Sequence, residues 1–127
     1  AARESELSAF IEHHLRANDV VFTTWREDGH CDHEAVGRAS ALAASRIGAT
    51  LHELPVWTWH WAMPEDAGVP WHRARKIRLT PPLIARKRHA IHAFASQLEG
   101  DPQIGLPPVL APFVLDRLLQ PFEVIFL

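Results

Sequence analysis

Val20-Val21-Phe22-Thr23-Thr24-Trp25-Arg26-Glu27-Asp28-Gly29-His30-Cys31-Asp32-His33-Glu34-Ala35-Val36-Gly37 is the stretch that decides the fold. Its first six residues are β-branched or aromatic and almost wholly apolar. So short a run suits a strand buried on both faces of a parallel sheet. Arg26 to Cys31 is polar and reads as a turn. Asp32 is placed to cap the helix that follows, over about His33 to Ile47. Glu34 suits the positive end of that helix, and Gly48 suits its stop. Ala35, Ala39, Ala41, Ala43 and Ala44 allow the helix to lie close against a sheet. Strand, polar turn and helix in this order are the unit of a layered α/β fold.

The flanking sequence extends the alternation. Residues 3–17 read as an amphipathic helix with Leu7, Phe10, Ile11, His14 and Leu15 on one stripe. Residues 50–61 read as a strand in which Trp57, Trp59 and Trp61 alternate with Val56, Thr58 and His60. Pro55 makes its early part an edge or a bend. Residues 62–75 read as a loop and Lys76 to Leu79 as a short strand. Thr80 caps a third helix with Pro81 at its first position, and the stripe from Leu83 to Leu98 runs to Gly100. A proline-rich connector (101–108), a short helix near 109–119 and a terminal strand (122–127) complete the chain.

Composition narrows the function. The 127 residues leave room for one domain, with 47% hydrophobic and 22% charged residues. That balance excludes a disordered chain. A formal net charge of −2 argues against a general nucleic-acid binder. No apolar run reaches the roughly 18 residues of a membrane span, and no apolar signal core opens the sequence. Cys31, the single cysteine, excludes an intrachain disulfide and suits a reducing, cytoplasmic setting.

The chemistry concentrates in Asp28-Gly29-His30-Cys31-Asp32-His33. Ligands of open α/β sheets bind at the carboxyl ends of strands beside helix N-termini, and this turn lies there. Imidazole and carboxylate are common zinc ligands. A capping turn with solvated histidines accounts for the same residues. Neither the second histidine of a zincin helix nor the paired cysteines of a zinc finger are present.

The same residues resemble the second signature of the LmbE-like, or PIG-L, family of zinc-dependent N-deacetylases. That signature is a hydrophobic strand, a polar turn, then Asp-x-His-Pro-Asp-His and often a Val-Gly pair. Here it stands as Asp28-Gly29-His30-Cys31-Asp32-His33-Glu34-Ala35-Val36-Gly37, with Cys31 in place of proline. Lys87-Arg88-His89-Ala90-Ile91-His92-Ala93-Phe94-Ala95-Ser96-Gln97 is similar to a later family pattern, and Phe122-Glu123-Val124-Ile125-Phe126 to the terminal strand.

The resemblance implies a Rossmann-like three-layer α/β sandwich with a mostly parallel sheet. It implies His33 as a zinc ligand, His30 as a stabiliser of the oxyanion, and Asp32 as the carboxylate that orients an imidazole. Asp28 is a further candidate substrate contact. Read from the residues themselves, Trp59 is another, since the face of Trp57, Trp59 and Trp61 suits either stacking on a sugar ring or a place in the core. The substrate class is an N-acetylated amino sugar or glycoconjugate. The family's first motif, His-Pro-Asp-Asp-Glu, supplies the remaining ligands and the general base. This sequence has no Asp-Asp pair. Residues 1–127 therefore resemble the C-terminal portion of one such domain, inactive alone. A companion N-terminal segment or self-association is expected. The rival reading is a non-catalytic α/β binding or assembly module that uses its basic clusters and Trp-rich segment.

Overall fold

A computed structural model describes residues 2–127. Six α-helices and one four-stranded mixed sheet make up the described residues. The chain is a mixed α/β protein. It divides into two compact units, one running to Arg75 and taking in Val124–Leu127, the other Lys76–Glu123.

In the first unit, α1 (Ala2–His14) lies along α2 (Cys31–Ile47). Arg38 clamps Glu4 with bonds of 2.7 and 3.1 Å, and Arg46 reaches Glu12 at 2.7 Å. Helix α1 stops at His14, short of the expected residue 17. A local turn takes over, in which Asp19 accepts the Arg16 amide at 2.7 Å and donates its own amide to the Arg16 carbonyl. Phe10, expected on the buried stripe, is 65% exposed.

Strands β1 (Val20–Thr24) and β2 (Thr50–Leu54) pair in parallel, from Val20 opposite Thr50 to Thr24 opposite Leu54. Beyond β2 come β4 (Phe122–Phe126) and β3 (Ala74–Arg78), in the order β1-β2-β4-β3. β4 runs antiparallel to β2. The Leu79 amide bonds the Pro121 carbonyl and the Leu127 amide bonds the Arg73 carbonyl, so β3 is antiparallel to β4 as well. The expected mostly parallel sheet is therefore corrected to a mixed one. β1 and β2 are joined through α2, the kind of crossover that parallel pairing requires.

β1 is not buried on both faces. Thr23 is buried against α2, with its hydroxyl on Ser40 at 3.1 Å, while Val20 and Phe22 are more than half exposed. The physical reason is the alternation of faces along a strand: α2 covers the face that carries Thr23, and Val20 and Phe22 lie on the opposite one. Small residues seat α2, with Gly37, Ala39, Ser40, Ala43 and Ala44 buried. Trp25 and Phe126 meet edge to face at 5.2 Å and are essentially inaccessible to water.

The expected strand over 50–61 stops at Leu54. Pro55 has no amide to continue a ladder. Residues from Trp57 turn into a short helix, α3 (Thr58–Trp61). A 3₁₀ turn (Trp71–Arg73) then leads into β3, which starts two residues before Lys76.

In the second unit, the helix expected from Thr80 to Gly100 is broken. Helix α4 (Pro81–His92) ends at Ala93, and α5 (Ala95–Leu98) follows a kink at Phe94, whose φ of −93° and ψ of 61° are not helical. Phe94 is 61% exposed and Leu83 is 45% exposed, so the stripe does not bury as its spacing implied. Pro81 takes the first helical position as expected, but the Thr80 hydroxyl makes no capping bond. The proline-rich connector closes through a bridge between Asp101 and Leu106, and α6 (Pro112–Leu118) leads to β4.

Candidate functional site

The turn after β1 is built by two glycines. Gly29 sits at φ 83°, and a Cβ there would lie 2.7 Å from the Trp61 indole nitrogen. At Gly37 a Cβ would come within 2.6 Å of the Thr24 carbonyl oxygen and 2.9 Å of the Arg26 Cα. Helix α2 can thus approach the end of β1 backbone to backbone. The Thr24 hydroxyl donates to the His33 carbonyl at 2.8 Å and fixes the first turn of the helix.

Asp28 is the centre of the arrangement. Its side chain is fully buried. Oδ1 accepts the amides of Val56 and Thr58, each at 2.9 Å, and the Thr58 hydroxyl. Oδ2 accepts the Trp57 amide at 2.7 Å and meets His33 Nδ1 at 2.5 Å. Burial alone would raise its carboxyl pKa. The bonds from Thr58, His33 and Trp57 outweigh that and hold it below the ordinary aspartate value. One ionised carboxylate therefore joins the ends of both parallel strands. It also gives α3 the acceptor that its N-terminal amides, which have no partner within the helix, need.

This corrects the role expected for Asp28. A carboxylate with no exposed surface and five donors orients a neighbour; it does not meet a substrate. The neighbour is His33. Because the carboxylate is an acceptor, His33 places its Nδ1–H on Oδ2, and in the neutral ring Nε2 keeps its lone pair. The ring is 24% exposed. A carboxylate behind an imidazole is how proteins fix a metal-ligating histidine.

His30 is held in the opposite tautomer. Its Nδ1 accepts the Asp32 amide at 3.3 Å, so the neutral ring carries its proton on Nε2. His30, not Asp32, is the N-cap of α2. The Asp32 carboxylate instead faces the Cys31 thiol at 3.6 Å and makes no bond to an imidazole. Asp32 therefore neither caps the helix nor orients an imidazole here, because the helix starts two residues earlier than expected. The His30 and His33 rings lie 4.6 Å apart between centroids.

The donor atoms of His30, Cys31 and Asp32 lie within 4.8 Å of one another. These are partly or fully exposed groups on a helix N-terminus, a common arrangement that says nothing about zinc. They also lack the buried partner that His33 has.

The helical turn at 57–61 rearranges the tryptophans. At about 100° per residue, Trp57, His60 and Trp61 share one side and Trp59 lies on the other. The Trp57 ring meets His30 edge-on at 5.3 Å and stacks on His60 at 4.0 Å. The Trp61 indole donates to the Asp28 carbonyl at 2.9 Å. Trp57 and Trp61 are the tryptophans that meet His30 and Asp28 in these contacts, and Trp59 is half-buried. Burial lowers the His60 pKa, with the Asp28 charge pulling the other way, so its imidazole is neutral at neutral pH. Sequence reasoning missed Thr58 and the 56–58 amides as partners of Asp28. Pro55 was the signal that could have found them, since it ends the strand where this turn begins.

A second buried carboxylate anchors the same turn. Glu53 is fully buried and accepts Arg26 Nε at 2.7 Å, the Arg26 amide at 3.2 Å and Arg73 Nη2 at 2.9 Å. Burial raises its pKa, but the two arginines prevail and hold it below the ordinary glutamate value. Among the described residues no helix is long and apolar enough to cross a membrane. No protein-family model, curated protein or solved structure matches the chain.

Proposed function

We propose that this chain is the C-terminal portion of an LmbE/PIG-L-like zinc-dependent N-deacetylase domain, with a Rossmann-like three-layer sandwich as its complete form. The observation that carries the reading is the Asp28–His33 pair at 2.5 Å, at the carboxyl ends of two parallel strands. It fits the donor chemistry of a zinc site: a buried carboxylate fixes Nδ1–H and leaves Nε2 for the metal. His33 would hold zinc, which when bound supplies the Lewis acidity that makes water nucleophilic at neutral pH. A catalytic zinc takes three protein ligands. The other two, and the general base, are assigned to a segment bearing the family's first motif.

His30 has the complementary task. Its Nε2–H is a donor for the negative charge that develops on the amide oxygen as water adds to an N-acetyl group. Acetate and a free amine on an amino sugar or glycoconjugate are the products. Trp57 and His60 wall the same side of the site, and Trp59 stays a candidate substrate contact.

β1 supports the companion segment. It is an edge strand, and Val20 and Phe22 are 53% and 58% exposed. Edge strands with apolar residues attract a further strand. A cytoplasmic location belongs to the same proposal and agrees with an exposed, unpaired Cys31.

Zinc content and acetate release are the test. They are measured on a polypeptide that joins this chain to a segment bearing the first motif. His33→Ala is expected to lose zinc and activity together. His30→Ala is expected to keep zinc and lose about 100-fold or more in kcat. A His33→Ala protein that stays active with full zinc would overturn the assignment. So would exchange of both histidines without effect, the outcome the binding-module reading requires.

A further inference from the structure

The basic residues of β3 take no part in the site described above. Arg75, Lys76 and Arg78 are three of its five residues and all are exposed. Lys76 and Arg78 alternate with Ile77, so they share one face of the strand, roughly 6.6 Å apart along it. That face opens onto a groove of about 730 Å³, completed by Thr80, Pro81 and Phe122. The groove lies wholly within the second unit.

Its chemistry is one-sided. Two cations line it and no carboxylate does. Glu123, the acidic residue beside Phe122, is engaged by Lys87 at 2.6 Å. The Lys76 ammonium is held over the Phe122 ring at 4.2 Å, which orients it without neutralising it. Arg78 makes no ion pair among the described residues. The Thr80 hydroxyl caps nothing and is available as a donor. A guanidinium, an ammonium and a hydroxyl around one space form the donor set that recognises phosphate. Leu79, Pro81, Pro121 and Phe122 give the remainder of the lining an apolar character that free phosphate would not use.

We propose that this groove binds a small phosphate monoester, with the phosphate between Lys76, Arg78 and Thr80 and the organic group against Pro81 and Phe122. A solvated sheet edge needs the charges of β3 but gives no reason for an acid-free groove beside them.

Phenyl phosphate is the probe, titrated into the full chain and followed by NMR and calorimetry. The expected result is saturable one-site binding, with shifts centred on Leu79, Thr80 and Phe122. Phenyl phosphate should bind at least tenfold tighter than inorganic phosphate, and phenol should not bind. Arg78→Ala should weaken binding at least tenfold, and Thr80→Val several-fold, with circular dichroism unchanged. Arg88→Ala, on α4 away from the groove lining, should change nothing. Equal affinity for inorganic phosphate would refute the apolar half of the site. Non-saturating shifts spread over all the basic residues, or an unaffected Arg78→Ala protein, would overturn the proposal.

Discussion

Asp28→Asn removes one charge and one acceptor from a buried site and changes almost no volume. The asparagine carbonyl can replace Oδ1 and keep Val56, Thr58 and the Thr58 hydroxyl. Its NH₂ group then stands where Oδ2 stood and faces the Trp57 amide, donor against donor. An amide stranded in this way costs about 1–3 kcal/mol. The bonds kept on Oδ1 lose their charge assistance, which removes roughly another 1 kcal/mol. The sum is about 3 kcal/mol. At roughly 3–5 °C per kcal/mol for a chain of this length, melting should fall by about 10–15 °C. His33 responds as well. To accept from the new NH₂ its Nδ1 must lose its proton, which moves to Nε2 and blocks the nitrogen assigned to zinc. Thermal unfolding measures the first effect, and ¹⁵N–¹H correlation of the histidine side chains measures the second. A melting temperature within about 2 °C of the parent, or His33 still protonated at Nδ1, would refute the reasoning.

Glu53→Ala leaves Arg26 and Arg73 without their shared carboxylate. Both arginines are about a third exposed, so water offsets part of the loss, and the denaturant midpoint should report about 2 kcal/mol rather than the 3–5 of a fully buried pair. Gly37→Ala drives a methyl into the backbone of Thr24 and Arg26 and should cost about 1–3 kcal/mol by the same measurement. Acid should destabilise the fold in two steps. His60 has a folded pKa below its unfolded value, so stability is lost as pH falls below about 6.5. Asp28 and Glu53 also have depressed folded pKa values, so their contribution is complete above about 4.5 and is lost as pH falls through those values. Melting followed from pH 8 to 3 checks both steps, and His60→Phe should abolish the first alone.

The strand–turn–helix unit was legible because local signals agreed. A short β-branched and aromatic run made β1, Gly48 stopped α2 in the left-handed conformation, and a line of alanines marked its packed face. The cap was misplaced by two residues, from His30 to Asp32. Cap statistics favour aspartate, and the geometry that lets an imidazole accept the Asp32 amide has no sequence signature. The tryptophan segment failed for a different reason. Alternation at 57–61 is only five residues long, and a carboxylate 30 residues upstream supplies the acceptors that turn it helical. The mixed sheet was unreadable because β4 joins β2 through one long-range pairing, Glu53 with Phe126. Asp28 itself was noticed, but its burial and its five donors belong to the tertiary structure.

Asp28 admits a plainer purpose, which is to lock the 56–58 turn onto the end of β1. Three amides and a hydroxyl already satisfy that purpose. His33 is the donor that the lock does not need. A ring kept only for packing would hide both nitrogens, whereas this one binds Asp28 with one nitrogen and remains 24% exposed. His33→Gln separates the two purposes. The glutamine amide can still donate to Asp28, so a pure lock predicts a stability change below about 1 kcal/mol and no other effect. A metal site predicts the same small change in stability together with the loss of zinc, because glutamine offers no imidazole nitrogen. Zinc titration and denaturant unfolding of the parent and of His33→Gln, each joined to the first-motif segment, decide between them. Unchanged zinc affinity in a fully folded His33→Gln protein would leave Asp28 as a lock and nothing more.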